Sequence, residues 1–168
     1  MTAATTRITS LPIAEHYRWI GCDCNGGLGV YAPRPMSAIR FVEIKAAEST
    51  EALNTEWVII ENAGKTAFST RGCGMTVGKR GSNKKSLLGV IDPGFVLEPG
   101  TKMRLLTGSP GADKHGAAPS ENDGVKNYFL FLPKAYVGSP GTVLTLVLRG
   151  LNVSKAEYDP ASPNGVKA

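Results

Sequence analysis

One apolar run constrains the fold of this chain more than any other feature of its sequence. The run Glu56–Asn62 (EWVIIEN) is rich in β-branched and aromatic residues and leads into a turn, a composition typical of a strand. Because the side chains of a strand alternate between two faces, Val58 and Ile60 share one face and Trp57 and Ile59 share the other. Val58 and Ile60 suit a core. The opposite face also carries two large apolar residues, which predicts that something else covers it.

The rest of the chain consists of short apolar runs separated by glycine- and proline-rich turns, with 20 glycines and 11 prolines among 168 residues. Seven or more such runs without a helical period predict an all-β protein, an antiparallel β-sandwich. Alternation within each run predicts the inward-facing side chains. These are Val58, Ile60, Met103, Leu105, Leu144, Leu146 and Leu148.

The chain divides into three parts by composition. Residues 1–37 form an N-terminal extension, 38–159 the sandwich, and 160–168 a polar C-terminal tail. The extension is too apolar for a disordered tail, so it either covers the outer face of its own sheet or acts as an arm that reaches a neighbour, and its glycines and prolines favour the arm. Within the sandwich, residues 109–126 have so few apolar side chains that we expect them to be mobile, or ordered only by a partner.

Four segments, in order, resemble the lamin-tail domain, an immunoglobulin-like β-sandwich. They are residues 39–44, the run 56–62, residues 95–106 with their Pro-Gly turn, and residues 142–158. Three features depart from the family pattern. Ile59 stands where a charged residue is usual, Cys73 stands where a Gly-Trp pair is common, and residues 1–37 have no counterpart in the family. The resemblance implies an immunoglobulin-like fold and interaction roles rather than catalysis.

The charge of the chain is concentrated around one loop. The net charge is +5, and no acidic residue occurs from Asn62 to Ile91. Four basic residues lie close together there: Lys79, Arg80, Lys84 and Lys85. They are the candidates for contact with an anionic partner, and phosphate contacts of this kind would depend on salt but not on base sequence. The alternative is a solvated loop that keeps the protein soluble.

The chain shows no convincing motif for a metal, cofactor or catalytic centre. Cys22 and Cys24 have an unusual spacing for zinc ligands, and a full set would also need Cys73 and either His16 or His115. The glycines before Lys79 lack the spacing of a phosphate-binding loop. We therefore expect no metal, no cofactor, no small-molecule substrate and no enzymatic activity.

The leading hypothesis is a non-catalytic structural or adaptor subunit that makes protein–protein contacts or self-assembles within a larger intracellular assembly. Its expected interface residues are Trp19, Trp57 and Ile59. The alternative is a nucleic-acid-binding module that acts through the Lys79–Lys85 loop. No apolar stretch is long enough for a membrane helix, and residues 1–10 lack the apolar part of a secretory signal. With an odd number of cysteines, these features predict a cytoplasmic protein with reduced thiols.

Overall fold

A computed structural model describes residues 38–167, and these residues form an all-β structure. The first sheet has four strands in the order β1-β2-β7-β8. Their bounds are β1 Ile39–Lys45, β2 Trp57–Asn62, β7 Lys102–Leu106 and β8 Lys126–Phe129. Strands β1, β2 and β7 pair antiparallel, whereas β8 joins β7 in parallel, a departure from the expected antiparallel arrangement.

The second sheet has the strand order β10-β9-β4-β5, and all of its neighbours are antiparallel. Its strands are β4 Cys73–Lys79, β5 Lys85–Val90, β9 Thr142–Leu148 and β10 Leu151–Glu157. A two-stranded ribbon of β3 Phe68–Ser69 and β6 Val96–Leu97 completes the fold. The predicted β-sandwich is therefore confirmed.

The core lies between the two sheets. Six of the seven side chains predicted to face inward have no exposed surface: Val58, Ile60, Met103, Leu105, Leu144 and Leu146. The seventh, Leu148, is half-buried and packs against the same cluster. Alternation predicted these positions because each strand has one face against the opposite sheet.

Both ends of the central strand β2 are tied down by buried polar side chains. Asn62 is fully buried, donates from Nδ2 to the carbonyl oxygens of Thr66 and Leu97 (2.8 Å each), and accepts from the Gly64 amide (2.9 Å). Glu56, just before the strand, is also fully buried. Buried polar groups are tolerated where their hydrogen bonds are made, so the two residues anchor loops to the sheet.

The outer face of the first sheet is covered by side chains of its own strands. The Trp57 ring lies 4.3 Å from Lys45 Nζ and 5.6 Å from Arg104 Cζ, and its Nε1 donates to Glu43 Oε1 (2.9 Å). Ile59 stands in register between Glu43 and Arg104 and is 6% exposed. Alternation within one strand does not show that long polar side chains of the flanking strands lie against this tryptophan. Residues 1–37, one of the two covers expected from the sequence, lie outside the described residues, so the need for a further cover stays a prediction.

The segment expected to be mobile, residues 109–126, is held by specific contacts. Asn54 donates from Nδ2 to the carbonyl oxygens of Ser109 (3.1 Å) and Gly116 (2.8 Å). Arg104, whose side chain is 5% exposed, pairs with Asp123 at 2.5 Å. Composition does not show these anchors, because they come from residues distant in the sequence, and the mobility of the segment stays a prediction.

The last described residues close one side of the sandwich. Ile44 donates its amide to the Asn164 carbonyl (2.8 Å), and Asn164 Nδ2 donates to the Val42 carbonyl (2.9 Å). Gly165, at φ +69°, passes so close to β1 that a Cβ there would lie 1.9 Å from the Ile44 oxygen. The proposed extension, residues 1–37, lies outside the described residues.

Candidate anion-binding hairpin

The β4–β5 hairpin brings the predicted basic residues together. Gly78 pairs with Lys85, and a Cβ on Gly78 would lie 2.9 Å from the Lys84 carbonyl oxygen, so the strands close tightly at this point. The turn is held by the Ser82 amide, which donates to the Lys79 carbonyl (3.1 Å), and by Ser82 Oγ, which accepts from the Lys84 amide (3.1 Å). The loop is therefore a turn held by its own hydrogen bonds, with lysines on both of its strands.

A groove of about 310 Å³ lies on the outer face of the second sheet beside this turn. Two of its basic residues come from the other end of the sequence, namely Lys155 on β10 and Lys167 after it. Lys155 pairs with Thr145 of β9, and Thr145 pairs with Thr76 of β4. Residues paired across neighbouring strands share one face of the sheet, so Lys155 lies on the same outer face as the groove. The basic residues of the groove are Lys79, Arg80, Lys85, Lys155 and Lys167.

The groove has a marked excess of positive charge. Glu157 is the single acid among the described residues that line it, and it binds Arg80 through two contacts and Lys167 at 3.8 Å. Lys79, Lys85 and Lys155 form no ion pair with any residue from 38 to 167. An anion in the groove would therefore meet free ammonium groups rather than ones already neutralised.

A second, more open pocket of about 590 Å³ lies on the other side of the same hairpin. Lys79 and Lys84 border it together with hydroxyl-bearing residues. These are Ser82, Ser86, Tyr136, Ser139 and Thr142. Burial and then the nearby negative charge of Glu56 raise the pKa of the Tyr136 phenol far above its usual value, so this phenol stays neutral and offers no base.

Strand β5, which forms one arm of the hairpin, is an open edge. Within residues 38–167 it pairs with β4 alone, and no backbone hydrogen bond joins it to another segment. Leu87 is 63% exposed and Val90 51% exposed, and both share the outer face with Lys85. A register shift around Leu88 makes a bulge in this strand. The edge thus combines backbone groups that have no partner among residues 38–167, two exposed aliphatic side chains and adjacent lysines.

The structure separates the two groups of residues proposed from the sequence. Lys79, Lys84 and Lys85 lie together at the hairpin, joined by Arg80, whose charge Glu157 balances. Trp57 and Ile59 lie on the other sheet, where Trp57 is half-buried and Ile59 is buried, and their role in an interface stays a prediction. Trp19 lies outside the described residues.

Lys155 and Lys167 were not predicted from the sequence. Alternation along β10 puts Lys155 and Glu157 on one face, but only strand order shows that this face borders the hairpin. The Lys167 amide donates to the Glu157 carbonyl (2.9 Å), and this bond holds Lys167 beside β10.

The described region offers no metal centre and no nucleophile in a reactive setting. Between residues 38 and 167 there is no group of three or more histidine, cysteine or acidic side chains suited to a metal ion. Cys73 is fully buried, and desolvation raises the pKa of its thiol. His115 Nδ1 lies 3.1 Å from Ser109 Oγ, and no carboxylate contact with the ring is found among the described residues. The candidate zinc ligands His16, Cys22 and Cys24 lie outside the described residues.

No helix in the described region is long and apolar enough to cross a membrane. Comparison with known proteins finds no family model and no curated sequence that matches this chain.

Proposed function

We propose that this chain is a non-catalytic structural or adaptor subunit that makes protein–protein contacts in an intracellular assembly. The buried polar groups of the sandwich support a scaffold role, because Glu56, Asn62 and Arg104 all bind other parts of the same domain. Buried ionisable groups at catalytic sites instead face a cleft that admits a substrate.

The observation that carries the proposal is the open edge of β5. Soluble β proteins usually protect such an edge, since its free amides and carbonyls attract other strands. Here the edge is partly guarded by Lys85 and by the bulge at Leu88, yet Leu87 and Val90 remain exposed beside it. An exposed aliphatic pair next to free backbone groups is a surface suited to another polypeptide.

The resemblance to the lamin-tail domain agrees with this proposal, and we extend the proposal to an immunoglobulin-like sandwich of that family. The motif residues Glu56 and Asn62 have clear scaffold roles here, which accounts for their presence without any catalytic function. The cytoplasmic location is part of the same proposal, and it rests on the reduced state inferred for the cysteines.

Light scattering on the purified full chain tests the assembly form of this proposal. A chain that self-assembles through apolar and backbone contacts should exceed the 17.7 kDa monomer at both about 50 mM and about 200 mM salt. A monomer at both salt concentrations would contradict self-assembly and leave only an adaptor with a different partner.

A second candidate, binding of nucleic acid, is favoured by the excess positive charge of the groove. Lys79, Lys85 and Lys155 can contact phosphates without reading bases, and the described residues that line the groove include no aromatic ring for stacking on a single strand. This function predicts a monomer that retains nucleic acid at low salt and releases it as salt rises. Failure of the wild type to bind heparin at about 50 mM salt would exclude it.

A further inference from the structure

We propose that β5 receives an extended acidic segment of a partner protein, which adds a strand to the second sheet with its carboxylates toward the lysines of the hairpin. The inference rests on the proposed adaptor function and names the chemistry of the partner. Strand addition supplies affinity through main-chain hydrogen bonds, and the alternating side chains supply specificity.

The length and position of the edge suit a short extended peptide. Strand β5 has six residues, so a bound strand would run about 20 Å along it. Tyr128 Oη accepts from the Asp92 amide and donates to the Asp92 carbonyl, each at 2.9 Å, which fixes the chain just beyond β5. The edge is thereby held in place at its far end, opposite the basic turn.

The side chains of β5 predict an alternating partner sequence. Leu87 and Val90 lie on the outer face, where apolar side chains of an added strand would pack beside them. Ser86 and Lys84, the residue just before β5, lie on the other side and border the second pocket, where intervening carboxylates would meet Lys84 and Lys79. Lys85 lies on the outer face, at the end nearest the turn, where a terminal carboxylate of the segment would meet it. A segment with alternating apolar and acidic residues would complement both the apolar outer face and the basic opposite side of this strand.

Charge favours this partner over a second copy of the chain. Another copy brings the same basic hairpin and a net charge of +5, whereas an acidic segment complements the lysines. The open backbone edge and the exposed Leu87 favour a polypeptide over nucleic acid, which would use the ammonium groups but neither of these features.

The test uses the full chain and a labelled peptide of alternating glutamate and valine, about nine residues long so that it spans β5. Fluorescence anisotropy should detect binding to the wild type. The same peptide with N-methyl groups on alternate amides keeps its charges but loses main-chain donors, and it should bind at least about tenfold more weakly.

Two variants separate the contributions of charge and edge. K84E/K85E should weaken binding about tenfold or more, and L87S should weaken it by removing the aliphatic side chain against which the apolar face of the peptide packs, without adding a charge. The matched control K65E/K114E makes the same change in net charge at exposed sites away from the hairpin and should stay within about twofold of the wild type. Lys65 and Lys114 are both exposed, and neither forms a salt bridge within residues 38–167. A thermal melt of each variant confirms that the fold is intact.

Several results would overturn the inference. Equal binding of the N-methylated peptide shows that charge alone is responsible. Binding of a DNA duplex without binding of the peptide assigns the hairpin to nucleic acid. An oligomer that L87S converts to a monomer, with no peptide binding, assigns the edge to a second copy and leaves the adaptor proposal standing. A monomer that binds neither the peptide nor the duplex also overturns the inference, and the adaptor proposal then requires a different partner.

Discussion

The Glu56 carboxylate accepts a hydrogen bond of 2.9 Å from the backbone amide of Val137, a residue 81 positions away in the chain. The same carboxylate accepts from the Tyr136 amide (3.0 Å) and from Thr107 Oγ1 (2.5 Å). One fully buried acid therefore joins the start of β2, the end of β7 and the loop before β9. A group bound so completely by its own domain is a structural anchor.

Removing this anchor should destabilise the whole domain. We expect E56A to lower the free energy of unfolding by about 3 kcal/mol or more, because it leaves two backbone amides without acceptors in the interior. E56Q keeps one acceptor oxygen and should lose less. Urea denaturation followed by fluorescence measures both changes. The control E51A alters an exposed glutamate and should stay within about 0.5 kcal/mol of the wild type. An E56A domain as stable as E51A would contradict the anchor role.

The contact between Arg104 and Asp123 should protect the long loop from proteolysis. R104M keeps an apolar stem but loses the bonds to Asp123 (2.5 Å) and Asn127 (2.9 Å), so a protease that cleaves after glutamate should cut at Glu121 much faster than in the wild type. K102M, an exposed position on the same face of β7, is the matched control. Rapid cleavage of the wild type would instead support the mobility expected from the loop's composition.

Acid should loosen the same loop. The Val125 amide and then the Arg104 guanidinium hold the pKa of Asp123 below its usual 3.8, and the Asn127 amide and then Lys126 hold that of Glu121 below its usual 4.5. A lowered folded-state pKa stabilises the fold above the unfolded-state value and loses this effect as the pH falls through the folded value. Amide exchange in residues 121–129, corrected for intrinsic rates, should therefore be slow above about pH 4.5 and accelerate below it. Uniform protection down to pH 3 would contradict these assignments.

Cys73 should resist alkylation in the folded protein. Its thiol has no exposed surface, and burial raises its pKa above the usual 9.0, so both access and the thiolate fraction are reduced. Peptide mapping by mass spectrometry after maleimide treatment at neutral pH should find Cys73 unmodified in buffer and modified in urea. Equal modification in both conditions would show that the core around β4 opens readily.

Two glycines with the same backbone angle offer a test of how the C-terminal residues close the sandwich. Gly165 and Gly111 both have φ +69°, but a Cβ at Gly165 would meet the Ile44 oxygen at 1.9 Å, whereas one at Gly111 would meet nothing within 4 Å. Both alanine variants carry the same strain of a left-handed residue. G165A should therefore be less stable than G111A by about 2 kcal/mol, measured by urea denaturation. Equal stability would mean that residues 159–167 do not pack on β1 as described.

The sequence by itself determined the class of fold and the core faces of the main strands. Alternation of side chains is a local property of a strand, so Val58, Ile60, Met103 and Leu105 were assigned inward without knowledge of any partner strand. The same alternation places Glu56 on the inner face, so its burial could also have been predicted from the sequence. The cluster of lysines around the turn could also be predicted from the sequence, because these residues are neighbours in the chain.

Tertiary structure decided which polar groups are buried and which charges meet. Lys155 and Lys167 reach the hairpin only because β9 pairs with both β4 and β10, a strand order that local patterns do not encode. The cover of Trp57 depends likewise on Lys45 and Arg104 from the two flanking strands. In each case a side chain's surroundings are set by register between distant segments, and register is a property of the assembled sheet rather than of any one strand.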